Sequence, residues 1–139
     1  MADEQGRLAK GATYVPTVLV VDRLGYLNRL YGLCEIAIVG GSFVPKGGQN
    51  PIEPAAASKP VLFGPDMSDF PEIARWLIER QAAQPVANVT ALEARLRALL
   101  QDPDGARAMG DRGRALVAEH RGVTQRFAAA VIARLAGHV

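Results

Sequence analysis

Cysteine is almost absent. Cys34 stands alone, so the sequence offers neither a disulfide framework nor a thiolate metal set; alone, it reads as a small buried apolar residue. Aromatic residues make up only 6% of the chain, and Ala and Gly take their place, a composition suited to helices packed closely on a sheet. No basic block is present: the net charge is +2, and Arg and Lys are interspersed with Asp and Glu. That argues against nucleic acid as a partner, because binding a phosphate backbone needs a basic face. The first 14 residues are polar and carry Asp3 and Glu4, so neither a signal peptide nor a membrane span is expected there. His120 and His138 are the only histidines, and neither has a Ser or Cys companion that would make a triad. No metal site, cofactor or catalytic residue is therefore predicted. There is no internal repeat and no low-complexity segment.

What is present is an alternation of apolar runs and helical patterns within 139 residues, enough for one hydrophobic core. Residues 1–16 lack periodicity and are expected to be flexible; 17–139 form the folded unit. Thr17-Val18-Leu19-Val20-Val21 is a continuous β-branched run that predicts a buried strand. A helix is predicted over 24–33, a second strand over 35–39, a helix ending near 58 and a third strand over 60–63. A further helix is predicted over 71–80, capped by Ser68 or Asp69. Three helices follow, over 90–100, 104–120 and 123–136, the first opened by a Thr90/Glu93 capping box and the second closed at Gly122. Strands alternating with helices imply a parallel sheet covered on both faces, an α/β fold. Three strands are few for a free-standing doubly wound sheet, so the fold is a partial Rossmann-like domain with strands expected upstream.

The chemistry concentrates in the run Gly40-Gly41-Ser42-Phe43-Val44-Pro45-Lys46-Gly47-Gly48-Gln49-Asn50-Pro51-Ile52-Glu53-Pro54. Ligands of open parallel sheets lie beyond the carboxyl ends of the strands. Gly40 and Gly41 stand at such an end, and Gly47 and Gly48 precede a helix whose unpaired N–H groups and dipole favour an anion; Lys46 adds a cation. Either Asn50 or Glu53 is the helix cap. In both cases the Glu53 carboxylate lies at the first turn, where it can accept hydrogen bonds from two ribose hydroxyls. Taken singly, the glycines read as tight turns and Glu53 as a dipole partner. Their combination between two strand ends favours a ligand.

The segments Gly40-Gly41-Ser42-Phe43, Lys46 to Ala55 and Pro60-Val61-Leu62-Phe63-Gly64-Pro65 closely resemble the 3-deoxy-D-manno-octulosonic acid (Kdo) transferases. The resemblance begins near Val18 and covers the later part of the family's C-terminal, donor-binding domain. It implies the C-terminal half of a glycosyltransferase B fold, cytoplasmic or on the cytoplasmic face of the inner membrane, whose full enzyme moves Kdo from CMP-Kdo to the lipid A precursor. It implies that Asn50, Pro51, Ile52 and Glu53 lie along CMP, and that Leu24-Gly25-Tyr26 is a second CMP-contacting segment. The family's N-terminal domain, which carries the catalytic carboxylate, has no counterpart in these residues, so the chain alone is expected to be inactive.

Several positions depart from the family pattern. Tyr26 replaces an acidic residue, Arg23 a Thr, Gln49 a His, and Asp66 and Asp69 a His and an Asn. Two alternatives stay open: a UDP-sugar glycosyltransferase or epimerase domain, and a non-catalytic module whose donor site is lost through Tyr26. The final helix, with Phe127, Val131, Ile132 and Leu135, predicts self-association, because in the family it packs on the N-terminal domain.

Overall fold

Val61-Leu62-Phe63 forms the centre of the sheet, and every one of these side chains is buried. A strand covered on both faces reads as an unbroken apolar run, which is what the sequence has here. In this computed structural model, which describes residues 18–120 and Arg134, three parallel strands lie in the order β1 (Ala37–Val39), β2 (Val61–Phe63) and β3 (Ala83–Pro85). Ile38 is in register with Leu62, and Leu62 with Gln84. The helices are α1 (Leu27–Tyr31), α2 (Ile52–Ala56), α3 (Pro71–Glu79), α4 (Val89–Gln101) and α5 (Pro103–His120). The fold is α/β, a partial Rossmann-like sheet with flanking helices.

The period-2 alternation of β2 divides the core. Val61 and Phe63 meet Ala55, Leu77 and Leu116 on one face, while Leu62 meets Leu99 and Met109 on the other. Helix α5 serves both clusters, with Leu116 in one and Met109 in the other, and two glycines let it approach. A Cβ on Gly110 would overlap the Ser58 carbonyl, and one on Gly113 would lie 3.3 Å from the Ala55 Cβ. Full burial of a side chain such as Leu62 or Leu77 stabilises the fold by roughly 1.5–3 kcal/mol.

Several expectations are corrected. Residues 18–21 form no strand, and Val18, Leu19 and Val20 are 74%, 73% and 80% exposed. Among the described residues β1 is bonded only to β2, so this run has no neighbour to complete its hydrogen bonds. The helix expected over 24–33 shrinks to α1, because Gly25 takes the left-handed conformation (φ +86°). Strand β3 was not anticipated: Ala83-Gln84-Pro85 has none of the β-branched or aromatic residues that mark a strand.

The caps differ as well. Phe70, without a side-chain bond, precedes α3. The cap of α4 is Asn88, whose Oδ1 accepts from the Ala91 N–H at 2.9 Å, and Glu93 pairs with Arg97 instead of boxing Thr90. Asp102 Oδ1 accepts from the Gly105 N–H at the start of α5. Cys34 is only partly buried, its thiol 3.5 Å from the Tyr31 carbonyl. His120 ends α5, with Nδ1 2.9 Å from the Leu116 carbonyl and its ring stacked 4.8 Å from that of Trp76. Of the helix expected over 123–136 only Arg134 is described, and it is helical; the rest of that helix and His138 lie outside the described residues.

Candidate functional site

The loops beyond the carboxyl ends of β1 and β2 are tied to each other by Ser42. This residue is fully buried in a 3₁₀ turn, Gly40–Phe43. Its hydroxyl donates to the Val39 carbonyl and accepts from the Gly64 N–H at 2.6 Å. With both hydrogen-bonding functions used inside the protein, the Ser42 side chain clamps two strand ends; this corrects the expectation that it faces a ligand. Pro51 is likewise fully buried, so any ligand contact there is made by its neighbours.

The rest of the loop is also heavily engaged. Gly41 N–H donates to Gln49 Oε1 at 3.3 Å. Gly47 and Gly48 have φ of +74° and +81°, and side chains at either would collide with Asp69 and Met67 respectively. These two glycines are required by backbone conformation and by close packing together. The Gly47 N–H expected to be free donates to Asp66 Oδ2 at 2.8 Å. Lys46 is exposed, and its N–H donates to the Val44 carbonyl at 2.7 Å.

Neither of the two expected caps opens α2 alone. Pro51 is the capping residue, and Asn50 Oδ1 accepts from the Ile52 N–H at 3.0 Å from just outside the helix. That geometry sends the next two side chains in different directions. Ile52 lines a small apolar pocket of about 190 Å³ with Ile73, Trp76, Leu116, Val117 and His120. Glu53 faces an open groove of about 400 Å³ that it shares with Arg23, Leu24, Gly25, Leu27 and Asn28.

The groove brings together two segments separated by more than 20 residues, Leu24-Gly25 and Glu53. Among the described residues the Glu53 carboxylate has neither a hydrogen bond nor an ion pair. Its charge is felt nearby: burial first, and the Glu53 carboxylate second, hold the Tyr31 phenol above its ordinary value. Tyr26 is 46% exposed and is not among the groove's lining residues. Gly40, Gly41, Lys46, Gly47 and Gly48 do not line this groove either. Of the lining residues not singled out for binding by the sequence, the polar ones are Arg23 and Asn28. Arg23 adjoins the Leu24-Gly25 pair, and Asn28 is the second residue of α1, so adjacency was the available signal. Among the described residues no cluster of His, Cys, Asp or Glu suits a metal ion, and no helix is long and apolar enough to cross a membrane.

Comparison with known proteins adds a lineage to this geometry. Over 111 residues the chain is 41% identical to the 3-deoxy-D-manno-octulosonic acid transferase of Haemophilus influenzae. Over 110 residues it is 43% identical to that of Bordetella pertussis. The chain is similar to the Kdo transferases over most of its length. Those two matches take 79% and 78% of the chain but only 26% of each relative, so the chain spans about a quarter of the transferases it matches. Among solved structures, the C-terminal CMP-Kdo binding domain of WaaA from Acinetobacter baumannii matches with a TM-score of 0.66 and 26% identity. That match covers 70% of this chain and 51% of the domain. No family model matches the sequence.

Proposed function

We propose that the chain is the donor-binding part of a Kdo transferase and that the groove beside Glu53 receives the CMP moiety of CMP-Kdo. The observation that carries this is the placement of Glu53, a carboxylate without a partner among the described residues, across the groove from Leu24-Gly25. These are the two segments that the family resemblance assigns to CMP. The carboxylate accepts two hydrogen bonds from neighbouring ribose hydroxyls, a charge-assisted pair. Arg23 supplies the cation for the phosphate, and Asn28 offers an amide to the base or sugar. Because Tyr26 lies outside the lining, loss of the family's acidic residue there leaves the groove's own chemistry in place.

In a complete enzyme this part would orient CMP-Kdo while an acceptor hydroxyl attacks the anomeric carbon and CMP departs. No described residue is placed to act as general base, so the chain alone is predicted to bind without transferring. The full enzyme would work at the cytoplasmic face of the inner membrane. Self-association of the isolated chain would run through the apolar residues Phe127, Val131, Ile132 and Leu135.

Calorimetric titration with CMP and UDP tests the proposal. Binding of CMP in clear preference to UDP is expected, with the preference weakened in Glu53→Gln. Equal binding of both nucleotides, or turnover of CMP-Kdo by the chain alone, would contradict it.

A further inference from the structure

Leu92, Leu96 and Leu99 give α4 an apolar stripe that joins Leu62 and Met109 on one face of the sheet. Arg95 comes three residues after Leu92 and four before Leu99, which puts it on the same side of the helix. Its Nε is buried without a partner, and its side chain makes neither a hydrogen bond nor an ion pair among the described residues. Arg97 of the same helix is paired with Glu93 at 2.8 Å. Strand β3 departs from its pattern in the same way. Gln84 is in register with Leu62, and residues in register share a face of the sheet. An amide, free of hydrogen bonds among the described residues, therefore stands on the core face. Arg95 and Gln84 line one groove of about 460 Å³, shared with Leu99, Met109, Asp102 and Arg112. Arg112 is held in place there, its Nε and Nη2 donating to the Gln81 carbonyl at 3.0 and 2.8 Å. Asp102 Oδ1 accepts from the Gly105 N–H at 2.9 Å, and Oδ2 accepts from no described group. No residue of this lining belongs to the groove at Glu53.

We propose that this groove binds a small hydroxylated oxyanion, either a hydroxy acid or a phosphate ester that carries hydroxyls, with its anionic group on Arg95. A guanidinium nitrogen buried without an acceptor is costly, and an oxyanion removes that cost by taking two parallel N–H bonds from the fork. Arg112 adds a second positive charge, so the lining holds two guanidinium groups against one carboxylate. That carboxylate, Asp102, repels a bare anion, and a ligand offsets the repulsion by donating a hydroxyl to Oδ2. The Gln84 amide both donates and accepts, which suits a further hydroxyl. A peptide strand is a poor occupant, because β3 is bonded only to β2 and its Pro85 has no N–H to offer an added strand. Two polar residues that break the apolar pattern of separate elements and meet in one groove are the kind of local inconsistency that function leaves in a fold. The proposal does not rest on CMP binding beside Glu53.

The test uses the whole 139-residue chain, ¹⁵N-labelled and titrated at constant ionic strength with glycerol 3-phosphate, glycerate and glycerol. Saturable shifts are expected at the Gln84, Leu99 and Gly105 amides and at the Arg95 Nε–H with one or both anions, and none with glycerol. The tighter of the two anions tells whether a phosphate or a carboxylate is the natural group. Arg95→Met removes the charge and completes the apolar stripe. It is expected to weaken the anion on the order of tenfold and to raise the thermal midpoint of the ligand-free chain. An arginine that serves only the fold would instead lower the midpoint and leave binding as it was, which overturns the proposal. Gln84→Ala is expected to weaken binding less, and it carries the test should Arg95→Met fail to fold. Glycerol shifting these signals as the anions do, no saturable shift with either anion, or shifts confined to Gly25 and Glu53 would also overturn it.

Discussion

Val18-Leu19-Val20-Val21 and Val61-Leu62-Phe63 are nearly interchangeable as strings of residues, yet one lies open to solvent and the other forms the centre of the sheet. The difference is in their neighbours. Val61 to Phe63 has a parallel strand on each side and helices on each face. The earlier run has no strand bonded to it among the described residues, so its backbone groups gain nothing from the extended form. Apolar, β-branched composition states that a segment will pair if a partner is present. It does not supply the partner.

The largest effect that sharpens this comparison is expected from Leu62→Ala. Truncating this fully buried side chain should cost about 2–5 kcal/mol through lost transfer energy and the cavity left behind, read as a lower denaturation midpoint. Val20→Ala, at 80% exposure, should fall within about 0.5 kcal/mol of the unaltered chain. A substantial loss from Val20→Ala would show that the first run is buried in solution.

Next in size is Gly47→Ala. It places a side chain at φ +74° and against Asp69, so a loss of roughly 1–2 kcal/mol is expected from the backbone alone, with Gly40→Ala as the control because a Cβ there meets nothing within 4 Å. Equal stability of the two variants would break the distinction between a glycine the loop needs and one it tolerates.

Glu53→Gln comes third and acts on binding. Removing a charged acceptor should weaken CMP by about tenfold, with the thermal midpoint little changed because the carboxylate has no internal partner among the described residues. A large fall in stability with binding intact would move Glu53 from the site to the scaffold.

The smallest effect is pH dependence at Asp66. Its folded carboxyl is held below the ordinary value of 3.8, first by the Gly47 N–H and then by Ser68. The unfolded state therefore binds the proton more readily, so the stabilisation is present above that ordinary value and disappears as the pH falls through the folded one. Comparing acid unfolding of the unaltered chain with Asp66→Asn should show this contribution lost in the variant. Superimposable acid limbs would mean that the Gly47 contact is absent in solution.

Much of the architecture could be read from residues alone. The β1 and β2 runs end in glycines, and α3, α4 and α5 carry apolar faces at helical spacing. Strand β3 escaped notice because Ala83-Gln84-Pro85 owes its extended form to pairing with Phe63 and its neighbours, a tertiary fact with no local mark. At the candidate site, the family resemblance names both Glu53 and Leu24-Gly25, which line one groove. The hydrogen bond from the Gly47 N–H to Asp66 was not foreseen, since the two lie 19 residues apart. Nor did Ser42 announce itself as a clamp. A serine between strand and loop serves a ligand or the fold equally well, and only its complete burial decides the matter.

The central claim is that Glu53 and the segment preceding α1 form one nucleotide site. It is tested most directly by amide chemical-shift mapping of the chain with CMP. The account predicts saturable shifts grouped at Gly25, Leu27, Asn28 and Glu53, abolished or strongly weakened in Glu53→Gln. Shifts confined to the apolar pocket at Trp76, or no shift at any concentration of CMP, would contradict it.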